Sequence, residues 1–295
     1  MISSDDVVLV TGASSGIGLE VARMAAERGA HVQLLARGRS GLEEAAARCV
    51  DAGAASAQVL PCDVGDHEAV AAAVSDVVGR HGRLDAVVNA AGVFAFGRLT
   101  DVPAEVFERV VRTNLLGSAN VARATLPVLR ARGEGSLVLF GSLLGHIVSP
   151  YAAPYVVSKW GVRALVRVLQ AENRDLPGIR VGYAAPAGVD TPIYQRAANY
   201  VGHPLRPPPP ASDVATVARD VLDFLDGRRR RPFGDPLPRA FHLAARIGCT
   251  VLPDRLYDAL GKVALAAAVT DRSETVADGP GAVLEPDVRT GSATP

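Results

Sequence analysis

Val7-Val8-Leu9-Val10-Thr11-Gly12-Ala13-Ser14-Ser15-Gly16-Ile17-Gly18 is the stretch that decides the fold. Its first four residues form an unbroken apolar run, short enough for a strand buried on both faces. Glycines at 12, 16 and 18 then allow a tight turn and let a phosphate approach the backbone N–H groups at a helix N-terminus. From Ile17 to about Arg28 the apolar residues take a helical spacing. In a chain with 29 glycines the spacing alone carries little. Its position between an apolar strand and an amphipathic helix gives it weight. Gly12, Ser14, Ser15, Gly16, Ile17 and Gly18 are therefore read as a phosphate-binding turn.

Outward from this unit the same alternation repeats. Strands are predicted at His31–Ala36, Gln58–Pro61, Leu84–Asn89, Ser136–Phe140 and Arg180–Ala184. Helices fall between them at Leu42–Ala52, Glu68–Arg80, Ala104–Thr113, Ser118–Arg130 and Tyr155–Asn173. Strands alternating with helices of this length imply right-handed crossovers and an α/β fold: a doubly wound parallel sheet with helices on both faces. One domain over about residues 5–270 is expected. It includes an irregular, proline-ended lid near 190–210, a helix capped by Ser212 and running to about Asp226, and two extra helices, Arg239–Leu252 and Arg255–Val269. The polar stretch 271–295 reads as a disordered tail.

Composition narrows the function. Of 295 residues 48% are hydrophobic and 21% charged, ample for a large core, and formal net charge is zero. No global field draws such a chain to nucleic acid, and membrane contact is not expected. Cys49, Cys62 and Cys249 lack a Cys-x-x-Cys spacing, so neither a disulfide framework nor a metal site is expected. No signal peptide or apolar run of membrane-spanning length is visible, which fits a cytoplasmic protein.

Chemistry appears at Tyr155-Val156-Val157-Ser158-Lys159. Only Lys159 and Lys262 among the 31 Lys plus Arg residues are lysine. Arginine keeps its proton at any working pH, whereas lysine can adjust its pKa, so a lysine retained against this drift suggests proton chemistry. Residues four apart on a helix lie about 5–6 Å from each other, which sets the ammonium beside the phenol. The expectation is that Lys159 lowers the Tyr155 pKa and that Tyr155 acts as general acid/base.

Taken in order, these motifs resemble the short-chain dehydrogenase/reductase family over roughly residues 5–226. Thr11 to Gly18 matches its Thr-Gly-x-x-x-Gly-x-Gly. Asp63-Val64 follows the third strand, where the family contacts adenine. Asn89-Ala90-Ala91-Gly92 matches the motif after the fourth strand, with Ala90 where an asparagine is usual. Asn114 stands at the family's structural and proton-relay asparagine, and Ser142 precedes Tyr155 by 13 residues. Pro186-Ala187-Gly188-Val189-Asp190-Thr191 resembles Pro-Gly-x-Val-x-Thr, with Ala187 in place of glycine. The resemblance implies a Rossmann-type three-layer fold and four catalytic residues, Asn114, Ser142, Tyr155 and Lys159. It implies cofactor contacts from Gly12 to Gly18 and at Arg37, Asp63, Val64, Asn89, Ala91, Gly92, Tyr155, Lys159, Pro186, Gly188, Val189 and Thr191. It also implies a homodimer or homotetramer.

At the end of the second strand Ala36-Arg37 stands where relatives that prefer NAD carry an acid. Absence of that acid and presence of a guanidinium favour NADP(H) over NAD(H). Phe94, Phe96, Leu143, Leu144, Val148, Tyr151, Ile193 and Tyr194 flank the expected cleft, with His146 as a non-catalytic wall residue. They favour a mainly apolar carbonyl or secondary alcohol as substrate. The alternatives are a non-catalytic nucleotide-binding regulatory protein and an epimerase or isomerase with retained NAD. The chain departs from compact members after Asp226, where they end soon after the last strand.

Overall fold

The computed structural model describes residues 1–209, 211–229, 269 and 275–284. In chain order its regular elements begin with β1 (Val7–Thr11), α1 (Gly16–Ala26), β2 (His31–Ala36), α2 (Arg39–Asp51), β3 (Ser56–Pro61) and α3 (His67–His81). Next come β4 (Ala86–Asn89), the short β5 (Ala95–Phe96), α4 (Ala104–Val111), α5 (Gly117–Arg132) and β6 (Gly135–Phe140). The last are α6 (Ala153–Glu172), β7 (Ile179–Ala184), β8 (Gly188–Val189), β9 (Ala198–Asn199), β10 (Ala211–Ser212) and α7 (Val214–Leu225). Six strands form one sheet in the order β3-β2-β1-β4-β6-β7, and every neighbouring pair is parallel.

Alternation along each strand builds two cores. Val8, Val10, Val32, Leu34, Val88 and Val138 point to the layer that holds α1, α2 and α7. Val7, Leu9, Leu35, Val87, Leu137 and Leu139 point to the layer of α3, α5 and α6. Each such side chain contributes about 1.5–3 kcal/mol when fully buried, so a one-residue register slip would exchange both cores at once. The order reverses between β1 and β4, and the crevice beyond the strands' carboxyl ends at that switch is where ligands bind in doubly wound sheets.

Three local differences from the sequence reading bear on the site. The two helices expected around Asn114 are one continuous run, joined by a π-helical turn over Arg112–Leu116. Such turns insert a residue into a helix and recur at functional sites. Ser212 does not cap α7: it lies in β10, paired with Val189 of β8, and the cap is Asp213, whose carboxylate accepts from Thr216 N–H at 3.2 Å. Residues 275–284, part of the expected polar tail, pack back on the body, with Val283 fully buried among Val93, Val102, Val106 and Val110. The helices expected over 239–252 and 255–269 lie outside the described residues, apart from Val269, which bridges Leu205. No helix among the described residues is long and apolar enough to cross a membrane.

Candidate active site

A cleft opens at the switch point between β1 and β4. Gly12, Ser14, Ser15, Gly16, Ile17 and Gly18 line its floor, Arg37, Asp63 and Val64 one end, Ala91 and Gly92 its inner wall, and Thr191 the opposite rim. The floor is built from close backbone approach. A Cβ at Gly12, which has φ +65°, would lie 2.8 Å from Ala91 N, and one at Gly18 would lie 2.4 Å from Gly12 O. Side chains at these points would collide with the backbone of β1, of the turn and of the segment after β4. The glycines thus let the turn close tightly and leave the N-terminus of α1 open to the cleft, a shape that fits a pyrophosphate. Ser15, at the head of that helix, makes no side-chain cap of its own.

Asn89, Pro186, Gly188 and Val189 support the cleft without lining it. Asn89 is buried and accepts from Thr11 Oγ1 at 2.6 Å, while its Nδ2 donates to Ser118 at 2.9 Å. Thr11 Oγ1 accepts from Ala91 N–H at 3.1 Å, so this pair fixes the ends of β1 and β4 below the glycines. Pro186 O accepts from Leu143 N–H at 2.9 Å, and Val189 packs in the core. Burial works to raise the Asp63 pKa. The Gly65 amide and the Arg109 ion pair outweigh it and hold the carboxyl below its usual range.

The four catalytic candidates do not line this cleft but converge behind its inner wall, next to Gly92 and Phe140. Tyr155 hydrogen-bonds the Ser142 side chain. Lys159, one helical turn on, is 4% exposed and donates to Phe140 O at 2.8 Å, its Nζ 5.4 Å from the Tyr155 ring centroid. Gly92 separates Lys159 from Asn114, since a Cβ there would be 3.7 Å from Lys159 Nζ and 3.4 Å from Asn114 Oδ1. Asn114 is wholly buried in the π turn. Its amide clasps the Val93 main chain at 2.9 and 3.0 Å and donates to Ser158 at 3.0 Å, which donates to Tyr155 O at 2.7 Å. Asn114 thus braces α6 at the level of Tyr155.

Electrostatics here differ from expectation. Burial pushes the Tyr155 phenol up to about 12, only partly offset by the Ser142 hydrogen bond. Burial pulls Lys159 down to about 8. The spacing alone predicts an ammonium that lowers the phenol. In the structure the Lys159 Nζ turns toward the Phe140 carbonyl, and desolvation outweighs the attraction.

Beside Tyr155 the wall is aromatic and aliphatic. Phe94, Phe96, Leu144, Tyr151, Ile193 and Tyr194 gather in one cluster with it, the Phe94 ring 4.6 Å from that of Tyr155. Leu143 and Val148 fall outside that cluster, and Val148 is exposed. Tyr151 has φ +64°, in the left-handed region a tyrosine rarely enters, a cost of roughly 1–3 kcal/mol. Its carbonyl accepts from Gly97 N–H at 2.8 Å, which ties the loop to β5.

Sequence reasoning missed Tyr183. From the end of β7 its hydroxyl reaches the Ser142 main chain, 3.4 Å from N and 3.3 Å from O, and its ring meets that of His146 edge-on. A Cβ at Gly141 or Gly145 would lie 2.0 or 2.2 Å from Tyr183 atoms. Glycines on both sides of Ser142 were therefore the available signal: a bulky neighbour requires them.

A glycine-floored cradle at the switch point of a parallel sheet, beside a half-buried tyrosine, a buried lysine and a serine, defines a dinucleotide-binding oxidoreductase. The chain matches the family described as short chain dehydrogenase over residues 6–200. It is 32% identical to the zebrafish (Danio rerio) protein named dehydrogenase/reductase SDR family member 7B, over 74% of this chain and 73% of that one. Among solved structures it resembles an alcohol dehydrogenase from the archaeon Thermococcus sibiricus complexed with 5-hydroxy-NADP, with a TM-score of 0.66, 31% identity, and 75% of this chain and 90% of that one covered. It also resembles a single-residue variant of actinorhodin polyketide ketoreductase with NADPH, with a TM-score of 0.62, 37% identity, and 65% and 74% covered. The chain belongs to the short-chain dehydrogenase/reductase family.

Proposed function

We propose that the protein is an NADP(H)-dependent enzyme that interconverts a carbonyl and a secondary alcohol on a mainly apolar small molecule, working in the reductive direction. The observation that supports this most is the Tyr155–Ser142 hydrogen bond with the buried Lys159 one turn away. The turn from Gly12 to Gly18 would hold the pyrophosphate, Arg37 a 2′-phosphate, Asp63 and Val64 the adenine end, and Lys159 the ribose beside the reacting ring. When bound, that cofactor supplies the hydride.

The Ser142 hydroxyl donates a hydrogen bond to the substrate oxygen and stabilises its developing charge. Tyr155 then gives that oxygen its proton. A phenol held at about 12 keeps its proton at neutral pH, so it is poised as an acid, which suits reduction. Lys159, at about 8, exchanges its own proton near working pH and can restore that of Tyr155. Arginine could not do this. Asn114 acts by bracing α6 through Ser158. The apolar wall from Phe94 to Tyr194 selects a lipophilic carbonyl over a sugar.

A homodimer joins through the outer face of α6 and the π-helical turn beside it, where Val157, Trp160, Val168 and Leu116 are exposed apolar residues. Trp160→Glu should shift the molecular mass in light scattering to that of a monomer. Cys49 and Cys62, both buried and pushed up to about 11, suit a reducing cytoplasm.

The test of the reaction is oxidation of NADPH and of NADH against a panel of ketones, aldehydes and sugars, with Tyr155→Phe and Lys159→Arg as controls. Turnover with apolar ketones and NADPH, lost in both variants, is the expected result. Tight NADPH binding with no hydride transfer to any carbonyl, or full activity in Lys159→Arg, would overturn it.

A further inference from the structure

Residues 275–284 return to the body far from the sheet's last strand and end beside the cofactor cleft. Asn199 and Gly279 exchange main-chain hydrogen bonds at 2.9 and 3.0 Å, and Ala282 N–H donates to Arg196 O at 2.9 Å. Gly281 makes the turn between these contacts at φ +51°, packed so tightly that a Cβ would lie 2.4 Å from Ala197 O. Val283 seals the segment into the apolar cluster under α4. Ala282 itself lines the cleft.

The segment's carbonyls face one side chain. Arg37 donates through Nη2 to Ala282 O at 2.7 Å and through Nη1 to Val283 O at 3.3 Å. Arg37 lines the same cleft, at the end of β2. A long guanidinium side chain gives up rotamer freedom when it binds an anion, and a side chain already held in place gives up less. From this arrangement we infer that residues 279–283 form a strap that presets Arg37 and walls the adenosine end of the cofactor site, making the C-terminal segment a determinant of cofactor choice. The inference rests on the reading of the cleft as a dinucleotide site. Ala282 and Val283 would act as positioning residues, through the main-chain oxygens that hold Arg37.

The experiment measures dissociation constants of NADPH and NADH by titration calorimetry for the wild type, Gly281→Val, Arg37→Ala and the double variant. Gly281→Val cannot adopt the strap's turn or fit against Ala197, and it leaves Arg37 in the chain. It should weaken NADPH about tenfold and NADH no more than about twofold, and in the Arg37→Ala background its effect on NADPH should shrink to about twofold or less. Val283→Asp, which detaches the same segment from its apolar seat, should give the same pattern. An unchanged NADPH/NADH ratio in both strap variants, or an equal NADPH loss with and without Arg37, overturns the strap's role. A wild type that binds neither dinucleotide overturns the cofactor reading itself, and the strap's role with it.

Discussion

The two ends of the cleft are made of different material. Its floor is backbone: glycines 12 and 18 let main-chain groups approach where any side chain would collide, and Gly16 turns at φ +56°. Its far end is side chains: Lys159, Asn114 and Ser142, taken out of water, and the half-buried Tyr155. A backbone site binds by shape and oriented amides and tolerates little change in bulk. A side-chain site works by proton affinity and tolerates little change in chemistry. The difference gives each end its own way to fail.

Tyr155→Phe should cause the largest effect, on the order of 10³-fold in kcat with cofactor affinity nearly unchanged, because only the proton donor is lost. Steady-state kinetics alongside a binding titration would check it, and a parallel loss of affinity would blur the division between the two ends. Lys159 gives the next effect, read as stability. Its proton leaves the folded chain at about 8 and the unfolded chain at 10.5, so between those values the unfolded state binds more protons and stability rises with pH. That contribution reaches about 3 kcal/mol at most, and Lys159→Met removes it. Denaturant unfolding of both proteins from pH 7 to 10.5 should show the wild type gaining on the variant across that window. A constant difference would mean that Lys159 is not desolvated as its burial implies.

At the other end, Gly12→Ala should leave kcat nearly intact and weaken cofactor binding by about tenfold, since both its φ and the 2.8 Å approach to Ala91 N oppose a Cβ. Calorimetry decides it, and a pure kcat loss would contradict the assignment of that end. Tyr183→Phe should cost least, about threefold in kcat, because its hydroxyl only steadies the Ser142 main chain through long contacts.

How legible each part was follows from the same division. Glycine spacing and apolar alternation are local signals, so the sheet and the cradle floor could be read from Val7–Gly18 outward. Lys159 stood out because the chain has one other lysine, Lys262, and otherwise uses arginine. Its pKa did not, since desolvation depends on what surrounds it, and nothing in the order of residues shows the Phe140 carbonyl drawing Nζ away. Ser212 and Asp213 are both competent caps, and the strand pairing with Val189 took Ser212 out of contention. The strap was hidden for another reason: a polar, glycine- and proline-rich stretch looks the same whether it is loose or docked, and nothing in the order of residues sets the buried Val283 apart from the exposed Val276 and Leu284.

Arg37 and Ala282 are 245 positions apart in the chain and in contact in the fold. During synthesis the sheet and the glycine cradle can form early, from the first two hundred or so residues, as N-terminal units generally do. The wall beside Arg37 cannot be completed until Ala282 and Val283 have been made. On the proposed reading of the strap, a chain cut short after α7 would keep Tyr155 and Lys159 but leave Arg37 without the carbonyls that hold it.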